Sequence, residues 1–240
     1  MKKKKKIKKV LVLGLNNVGK KILKILRNDK IKLTVVKKKI SLRSLKKINP
    51  DLILSLGYRL IIPKDIFNFP AHGSFNIHKS LLPINKGANP VFWTILKNTK
   101  AGISIHKITN KVDDGPIVMQ KEISYDLSYN ARMLYEKLEN EQVLLFFKFW
   151  KLIKASKLKF KNSDKKKSSY YRKKDFLNIL KKNTNNKNIL KVINFLRAST
   201  FPPFENMRLK FGKDIYNIEI NVKKASKSNR IKYGLLKSYL

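Results

Sequence analysis

Short apolar runs alternate with stretches of helical spacing, and this alternation restricts the fold of the chain more than any other feature. Val10-Leu11-Val12-Leu13 enters Gly14, Leu33 to Val36 follows, and Leu52-Ile53-Leu54-Ser55-Leu56 comes third. Runs of four or five apolar residues bounded by turn residues suit strands buried on both faces. Between the first two, Val18 to Leu26 places Ile22, Leu23 and Leu26 on one helical stripe. Between the second and third, Ser41 to Ile48 reads as a short helix with Ser41 as its N-cap, and Pro50-Asp51 breaks it. Strand, helix, strand, helix in this order predicts an α/β fold with a doubly wound, mostly parallel sheet.

The pattern continues. Phe75 to His78 reads as a further strand, and Pro90 to Leu96 as a helix with proline in its first turn. Gly102 to His106 and Ile117 to Gln120 read as two strands flanking a loop that holds Asp113. Tyr129 to Leu158 is a long helical pattern with Leu and Phe on one face, expected to cover the sheet. Composition shifts over Lys159 to Lys174, and Lys161 to Lys167 reads as a polar linker. Helical patches follow near Lys174–Leu180 and Ile189–Ala198, then a break at Pro202-Pro203 and a strand over Asp214 to Ile220. The expected organisation is a main domain over residues 1–160, then a linker and small α+β C-terminal extension over 161–240. A length of 240 residues suffices for one good core and an appendage.

The chain lacks cysteine, which excludes disulfides and thiolate metal sites. Its histidines are His72, His78 and His106, so a histidine-rich metal cluster is not expected. The formal net charge of +41 admits a nucleic acid or an anionic surface as partner. Yet the 56 basic residues comprise 48 lysines and 8 arginines, whereas phosphate recognition favours the arginine fork. The Lys, Asn and Ile excess reads first as drift towards AT-rich codons, although such a chain still attracts a phosphorylated substrate. Met1 to Lys9 carries seven lysines, but the apolar run after it falls short of the roughly 7–15 residues of a secretory core. No segment nears the roughly 20 apolar residues of a membrane span. A cytoplasmic chain with no membrane partner is expected.

Gly14 to Lys21 approaches a phosphate-binding P-loop, but Lys21 stands where Ser or Thr must hold magnesium, and Asn16 replaces the middle glycine of a dinucleotide fingerprint. Its expected role is the first strand-to-helix corner. Asn76 and His78 are two apart, hence on one face of their strand, at its carboxyl end where open α/β sheets bind ligands. Ser80-Leu81-Leu82-Pro83 follows, an apolar turn suited to wall a flat heterocycle. Asp113, before Gly115-Pro116, is placed to reach His78 and fix its tautomer, as the acid of a triad does. Asp114 is expected to be an ordinary turn aspartate, His72 a loop residue and His106 a structural strand residue. Amide, imidazole and carboxylate together suit attack of an amine on an activated acyl group.

The run from Asp51 to Gln120 resembles the catalytic domain of the folate-dependent formyltransferases, which include methionyl-tRNA formyltransferase, glycinamide ribonucleotide formyltransferase and the sugar-nucleotide N-formyltransferases. Their Asn-x-His, Ser-Leu-Leu-Pro and Asp-x-Gly motifs are matched by Asn76 and His78, Ser80 to Pro83, and Asp113 with Gly115. Lys86 to Pro90, Trp93 to Leu96 and Gly102 to His106 are similar to the intervening text. The resemblance implies a Rossmann-like sheet and three catalytic residues. Asn76 would bond the formyl oxygen as it becomes an oxyanion. His78 would act as general base or oxyanion donor, and Asp113 would orient it and help shuttle protons. Tyr58, Arg59, Leu60 and Ile62 lie in a segment similar to the one whose backbone holds the pteridine. Ser80, Leu81, Leu82 and Pro83 would line the same pocket. The co-substrate implied is 10-formyltetrahydrofolate, and no metal is required.

The acceptor remains open between two amines. The tail, with Ser169 to Arg172 and Leu196 to Pro203, resembles that of the sugar-nucleotide enzymes, which often dimerise, and the chain is shorter than methionyl-tRNA enzymes with their larger C-terminal domain. An amino sugar on a nucleoside diphosphate is therefore expected first, initiator tRNA second. The net charge favours the tRNA. A non-catalytic, basic nucleic-acid-binding protein is the reading from another class. Two departures stand out: Lys79 after the catalytic histidine, where it would alter the mouth of the site, and Lys86 where many members carry Arg.

Overall fold

A computed structural model of the chain describes residues 6–164, 167–184, 187–201, 204–205 and 207–222. Met1 to Lys5 of the basic start, Lys165-Lys166 of the expected linker and the Pro202-Pro203 break lie outside the described residues. The chain divides into two compact units, one ending at Asn178 and the other beginning at Ile179.

In the first unit, β1 (Lys9–Leu13), α1 (Asn17–Asn28), β2 (Lys32–Val36), α2 (Leu42–Ile48), β3 (Leu52–Ser55), α3 (Lys64–Phe67) and β4 (Ser74–His78) alternate. Then come β5 (Lys86–Gly87), α4 (Pro90–Leu96), β6 (Ala101–Lys107), β7 (Ile117–Ile123), α5 (Ala131–Lys154) and β8 (Tyr170–Tyr171). The main sheet has six strands in the order β2-β1-β3-β4-β6-β7. β1 pairs parallel with β2 and β3, and β3 with β4. β6 and β7 join antiparallel beyond β4, since the loop between them replaces a crossover helix. The sheet is thus mixed but mostly parallel, an α/β architecture as the alternation predicts.

The sheet is buried on both sides, and residue parity assigns the faces. Val10 and Val12 of β1, with Leu52 and Leu54 of β3, pack against Ile22, Leu23 and Leu26 of α1 and Phe146, Phe149 and Trp150 of α5. Leu11, Leu13 and Ile53 face the other way, onto Leu45 of α2 and Ile66 of α3. On β4, Phe75 and Ile77 join the α1/α5 side, so Ser74, Asn76 and His78 point to the opposite side. On β6, Ile103 and Ile105 do the same, leaving Ser104 and His106 beside them. The register sets Asn76 opposite His106 and His78 opposite Ser104, which makes a polar patch on a sheet that is otherwise apolar.

Local signals fix the element ends. The Ser41 hydroxyl caps α2 by accepting from the Ser44 amide, and Asn130 starts α5 by accepting from Met133, slightly later than the apolar pattern begins. Asn16 caps α1 by accepting from the Gly19 amide at 2.8 Å. The near-P-loop is therefore a strand-to-helix corner. Gly14 has φ +76, and a Cβ there would lie 2.6 Å from the Tyr58 nitrogen, so the corners after β1 and β3 touch at main-chain distance.

α6 (Lys173–Thr184) leads out of the first unit. The second unit contains α7 (Lys187–Ser199), the pair β9 (Thr200–Phe201) and β10 (Phe204–Glu205), and the hairpin of β11 (Arg208–Phe211) with β12 (Asp214–Asn217). Among the described residues, no helix is long and apolar enough to cross a membrane.

Candidate active site

Four side chains meet where β4 and β6 face the loop after β6. The Asn76 amide nitrogen donates to Oδ1 of Asp113 at 3.1 Å and lies 3.3 Å from Nε2 of His106. Asp113 lies between two imidazoles, Oδ1 being 3.2 Å from His106 Nε2 and Oδ2 3.4 Å from His78 Nδ1. Oδ2 also accepts the Gly87 N–H at 2.9 Å. Each ring has a main-chain carbonyl at its other nitrogen: Asn85 for His78 Nε2 at 2.9 Å, and Lys107 for His106 Nδ1 at 3.0 Å. A carbonyl only accepts, so those nitrogens carry protons. Both rings are buried.

Asp113 adopts φ 49, the left-handed region that a non-glycine residue occupies at a cost of about 1–2 kcal/mol. Its partners over-determine that conformation, a common arrangement at functional sites. Burial pushes its carboxyl up. The charge of His78, the hydrogen bond and charge of His106 and the Gly87 amide outweigh it, and the group is held well below the usual carboxylate range. The site therefore contains a buried, ionised carboxylate bridging two imidazoles and an amide.

The expected trio Asn76, His78 and Asp113 is brought together, and His106 joins it. The strand reading placed His106 among structural residues, whereas it touches both Asn76 and Asp113. The signal was present in Ser104 and His106, two apart on an otherwise apolar strand. Asp114 accepts from Lys86 Nζ at 2.8 Å and stays outside the cluster. His72 is at the far end of β4, beside Phe75, Ile153 and Phe160. Lys79 does not alter the mouth of the site. It follows His78 by one residue, so it turns to the opposite face, pairs with Glu139 of α5 at 3.4 Å and stands 3.9 Å above the Tyr135 ring. Its burial lowers its pKa, with Glu139 opposing the shift.

The turn after β4 is tightly held. Ser80 and Leu82 are buried, and the Leu82–Pro83 peptide is cis. Ser104 Oγ donates to the Ser80 carbonyl at 2.7 Å and accepts from the Leu82 amide at 3.0 Å. Gln120 donates to both the Leu82 carbonyl and Ser104 Oγ. Gly102 must lack a side chain, because a Cβ would lie 2.5 Å from the main-chain oxygen of Lys121 as well as from Leu81. Leu81 and Pro83 are half-buried. The other expected wall, Tyr58 to Ile62, leaves β3 beside β4, where Ser55 pairs with Asn76. Tyr58 and Ile62 pack on the α2/α3 core and Tyr58 donates to the Lys38 carbonyl. Arg59 and Leu60 are exposed, as is Ile61 at 73%. An exposed apolar lip at the carboxyl edge of a parallel sheet suits a ligand surface.

Residues 8–148 match the family model described as formyl transferase. The chain is 34% identical, over 162 residues, to the bifunctional polymyxin resistance protein ArnA of Wigglesworthia glossinidia brevipalpis, covering 66% of this chain and 24% of that protein. It is 41% identical, over 98 residues, to methionyl-tRNA formyltransferase of Thermodesulfovibrio yellowstonii, covering 40% of this chain and 32% of the relative. The chain thus spans about a quarter and a third of these curated relatives. The formyltransferase PseJ of Anoxybacillus kamchatkensis, solved with UDP-4,6-dideoxy-4-formamido-L-AltNAc and tetrahydrofolate, superposes with a TM-score of 0.67 at 33% identity, covering 74% of this chain and 93% of that one. The six-stranded sheet, the motif residues clustered at its edge and the match over residues 8–148 lead to one conclusion: the chain belongs to the formyl transferase family.

Proposed function

We propose that this protein transfers the formyl group of 10-formyltetrahydrofolate to a primary amine, with a nucleotide-linked amino sugar as first acceptor. The observation that carries the reading is the buried Asp113 carboxylate, which ties the Asn76 amide and the His78 and His106 imidazoles together. Tyr58, Arg59, Leu60 and Ile62 would hold the pteridine from one side and Ser80 to Pro83 from the other. The amine nitrogen attacks the formyl carbon, and the carbonyl oxygen gains negative charge. The Asn76 amide nitrogen, which also reaches Asp113 Oδ1 and His106 Nε2, would turn an N–H to that oxygen. The attacking nitrogen sheds a proton to the imidazole and carboxylate cluster. As the carbon–N10 bond breaks, N10 of tetrahydrofolate regains a proton and the formamide is released.

The amino-sugar acceptor is supported by the likeness to PseJ, whose own structure holds a nucleotide-linked formamido sugar and tetrahydrofolate. Methionyl-tRNA is the second reading, supported by the curated relatives of that name and by the +41 charge. A cytoplasmic setting and a homodimer belong to the first reading. The test is tetrahydrofolate release from 10-formyltetrahydrofolate, run in parallel with a panel of nucleotide-linked amino sugars and with methionyl-tRNA at physiological salt. Release only with an amino sugar upholds the proposal, and release only with methionyl-tRNA moves the acceptor to RNA. Silence throughout, with salt-sensitive RNA binding that survives His78→Ala, would identify a non-catalytic nucleic-acid-binding protein instead.

A further inference from the structure

We infer that Ser169 is a positioning residue for the His78–Asp113 pair, acting through the loop Pro83 to Ala88; the inference rests on the formyl-transfer reading for its kinetic consequence alone. That loop supplies two of the contacts that define the pair. The Asn85 carbonyl receives the Nε2 proton of His78, and the Gly87 amide holds Oδ2 of Asp113. Every hydrogen-bonding group of Ser169 is spent on the same loop. Its amide donates to the Pro83 carbonyl at 3.1 Å, its carbonyl accepts from the Lys86 amide at 2.9 Å, and its hydroxyl oxygen accepts from the Asn85 amide at 2.8 Å. Ser169 lies 84 residues beyond Asn85 in the chain, so nothing local brings them together.

The surrounding contacts make the link stiff. Lys86 and Gly87 pair in parallel with Tyr170 and Tyr171, and the Ala88 amide donates to the Tyr171 carbonyl at 2.8 Å. Gly87 has φ +85, and a Cβ there would lie 2.3 Å from that carbonyl, so strand and loop touch at main-chain distance. The Tyr171 ring stacks on Trp93 with centroids 3.9 Å apart and planes within 10°. On its other side, Asn85 is gripped by its own side chain, which donates to the hydroxyls of Thr94 and Thr99 at 3.0 Å. The carbonyl that faces His78 is thus fixed from α4 on one side and from Ser169 on the other. Loss of the Ser169 hydroxyl leaves the Asn85 amide without its acceptor and frees the peptide that carries the carbonyl's neighbour.

The experiment uses the full chain with Ser169→Ala and Ser169→Thr. It follows the side-chain nitrogen and N–H resonances of His78 in the unliganded protein, and kcat and KM for the acceptor that shows turnover. Three histidines make the assignment tractable, and His72, at the far end of β4, serves as internal control. Ser169→Ala is expected to move the His78 resonances and leave those of His72 in place. Its kcat should drop about tenfold or more, as misplacement of a catalytic group does, with KM within about twofold. Ser169→Thr, which keeps the acceptor, should restore both. If Ser169→Ala fails to fold, Ser169→Cys supplies a weaker acceptor of similar size and an intermediate shift. Unchanged His78 resonances in a folded Ser169→Ala or Ser169→Cys protein would overturn the inference. Shifted resonances in a protein that transfers no formyl group would uphold the positioning and sink the proposed reaction.

Discussion

Nε2 of His78 stands 2.9 Å from the main-chain carbonyl oxygen of Asn85, and this contact decides which nitrogen can take a proton. With Nε2 protonated, the lone pair of the neutral ring is on Nδ1, which faces Asp113. Nδ1 lies 3.4 Å from the Asp113 carboxylate, and Nε2 is already engaged by the Asn85 carbonyl. In the proposed reaction Nδ1 would be the destination of the attacking amine's proton, with Asp113 as the counter-charge.

Replacing His78 or Asn76 by alanine should each cut turnover by about 10²–10³-fold, the usual loss when an oxyanion donor or a proton-transfer group is removed. Folate affinity should change little, because neither side chain is assigned to the pteridine wall. Rates of tetrahydrofolate release, set beside a fluorescence titration with folate, separate the two effects. Near-wild-type turnover in either variant would mean that the reaction takes place elsewhere.

The two neighbouring aspartates should differ sharply. Asp113 contacts Asn76, His78, His106 and the Gly87 amide, whereas Asp114 pairs with Lys86. Asp113→Asn should therefore lower kcat far more than Asp114→Asn, and the reverse order would reassign the catalytic carboxylate.

The same carboxylate gives a pH signature. Its pKa is lowered in the folded state, against about 3.9 for an aspartate in an unfolded chain. A depressed carboxylate stabilises fully above the unfolded value, and that contribution is lost as pH falls through the folded value. The stability gap between wild type and Asp113→Asn should thus be widest near neutrality and should narrow from about pH 5 downwards. Urea midpoints at pH 7, 5, 4 and 3 measure it, and a gap that does not depend on pH would show that Asp113 is not held ionised.

The legible parts of the fold are those that parity and local caps determine. Val10 to Leu13 and Leu52 to Ser55 read as two-sided strands because both faces are in fact covered, and Ser41 announces α2 through its own hydroxyl. Asn76 and His78 share a face for the same reason. His106 was missed as a site residue because its partners depend on register: β6 is set antiparallel to β4, and the following loop carries Asp113 back across both. Lys79 was readable by parity alone, being one residue out of phase with His78. The pairing of Lys86 and Gly87 with Tyr170 and Tyr171 had no such signal, since main-chain bonds across that separation leave no periodicity in the side chains. α3, four residues long, is too short for helical spacing to show.

Lys79 and Glu139 form a nearly buried pair, 10% and 13% exposed, and should respond asymmetrically to mutation. Glu139→Ala strands an ammonium that burial already disfavours, at an expected cost of about 2–3 kcal/mol, whereas Lys79→Met with Glu139→Gln should come within about 1 kcal/mol of wild type. The penalty of the single variant should be full near pH 6 and fade as pH rises from there, because a buried lysine with a lowered pKa sheds its proton more readily than an unfolded one. Denaturant midpoints at pH 6 and 9 test the sign. Equal costs for the single and double variants would mean that the pair is not coupled.

Gly115 offers the strictest test of how Asp113 is held. It follows Asp113 by two residues, and a Cβ there would lie 1.8 Å from the Lys107 carbonyl oxygen and 3.1 Å from the Thr109 methyl. The Lys107 amide in turn donates to the Pro116 carbonyl at 2.9 Å, so main chain meets main chain and no flexible side chain can yield. Gly115→Ala must displace the loop, and a shift of about 1 Å at the carboxylate is enough to lower kcat by about 10²-fold. Gly73→Ala is the natural control. It lies at the other end of β4 with φ +85, and its Cβ would meet Phe75 at an ordinary 3.5 Å. It should cost about 1–2 kcal/mol of stability through backbone strain alone and leave turnover per folded molecule intact. Melting temperatures and tetrahydrofolate release, measured together, distinguish the two. If both glycines lower stability but Gly115→Ala keeps its kcat, the Asp113 carboxylate is fixed by its imidazole and amide partners and not by the turn that carries it.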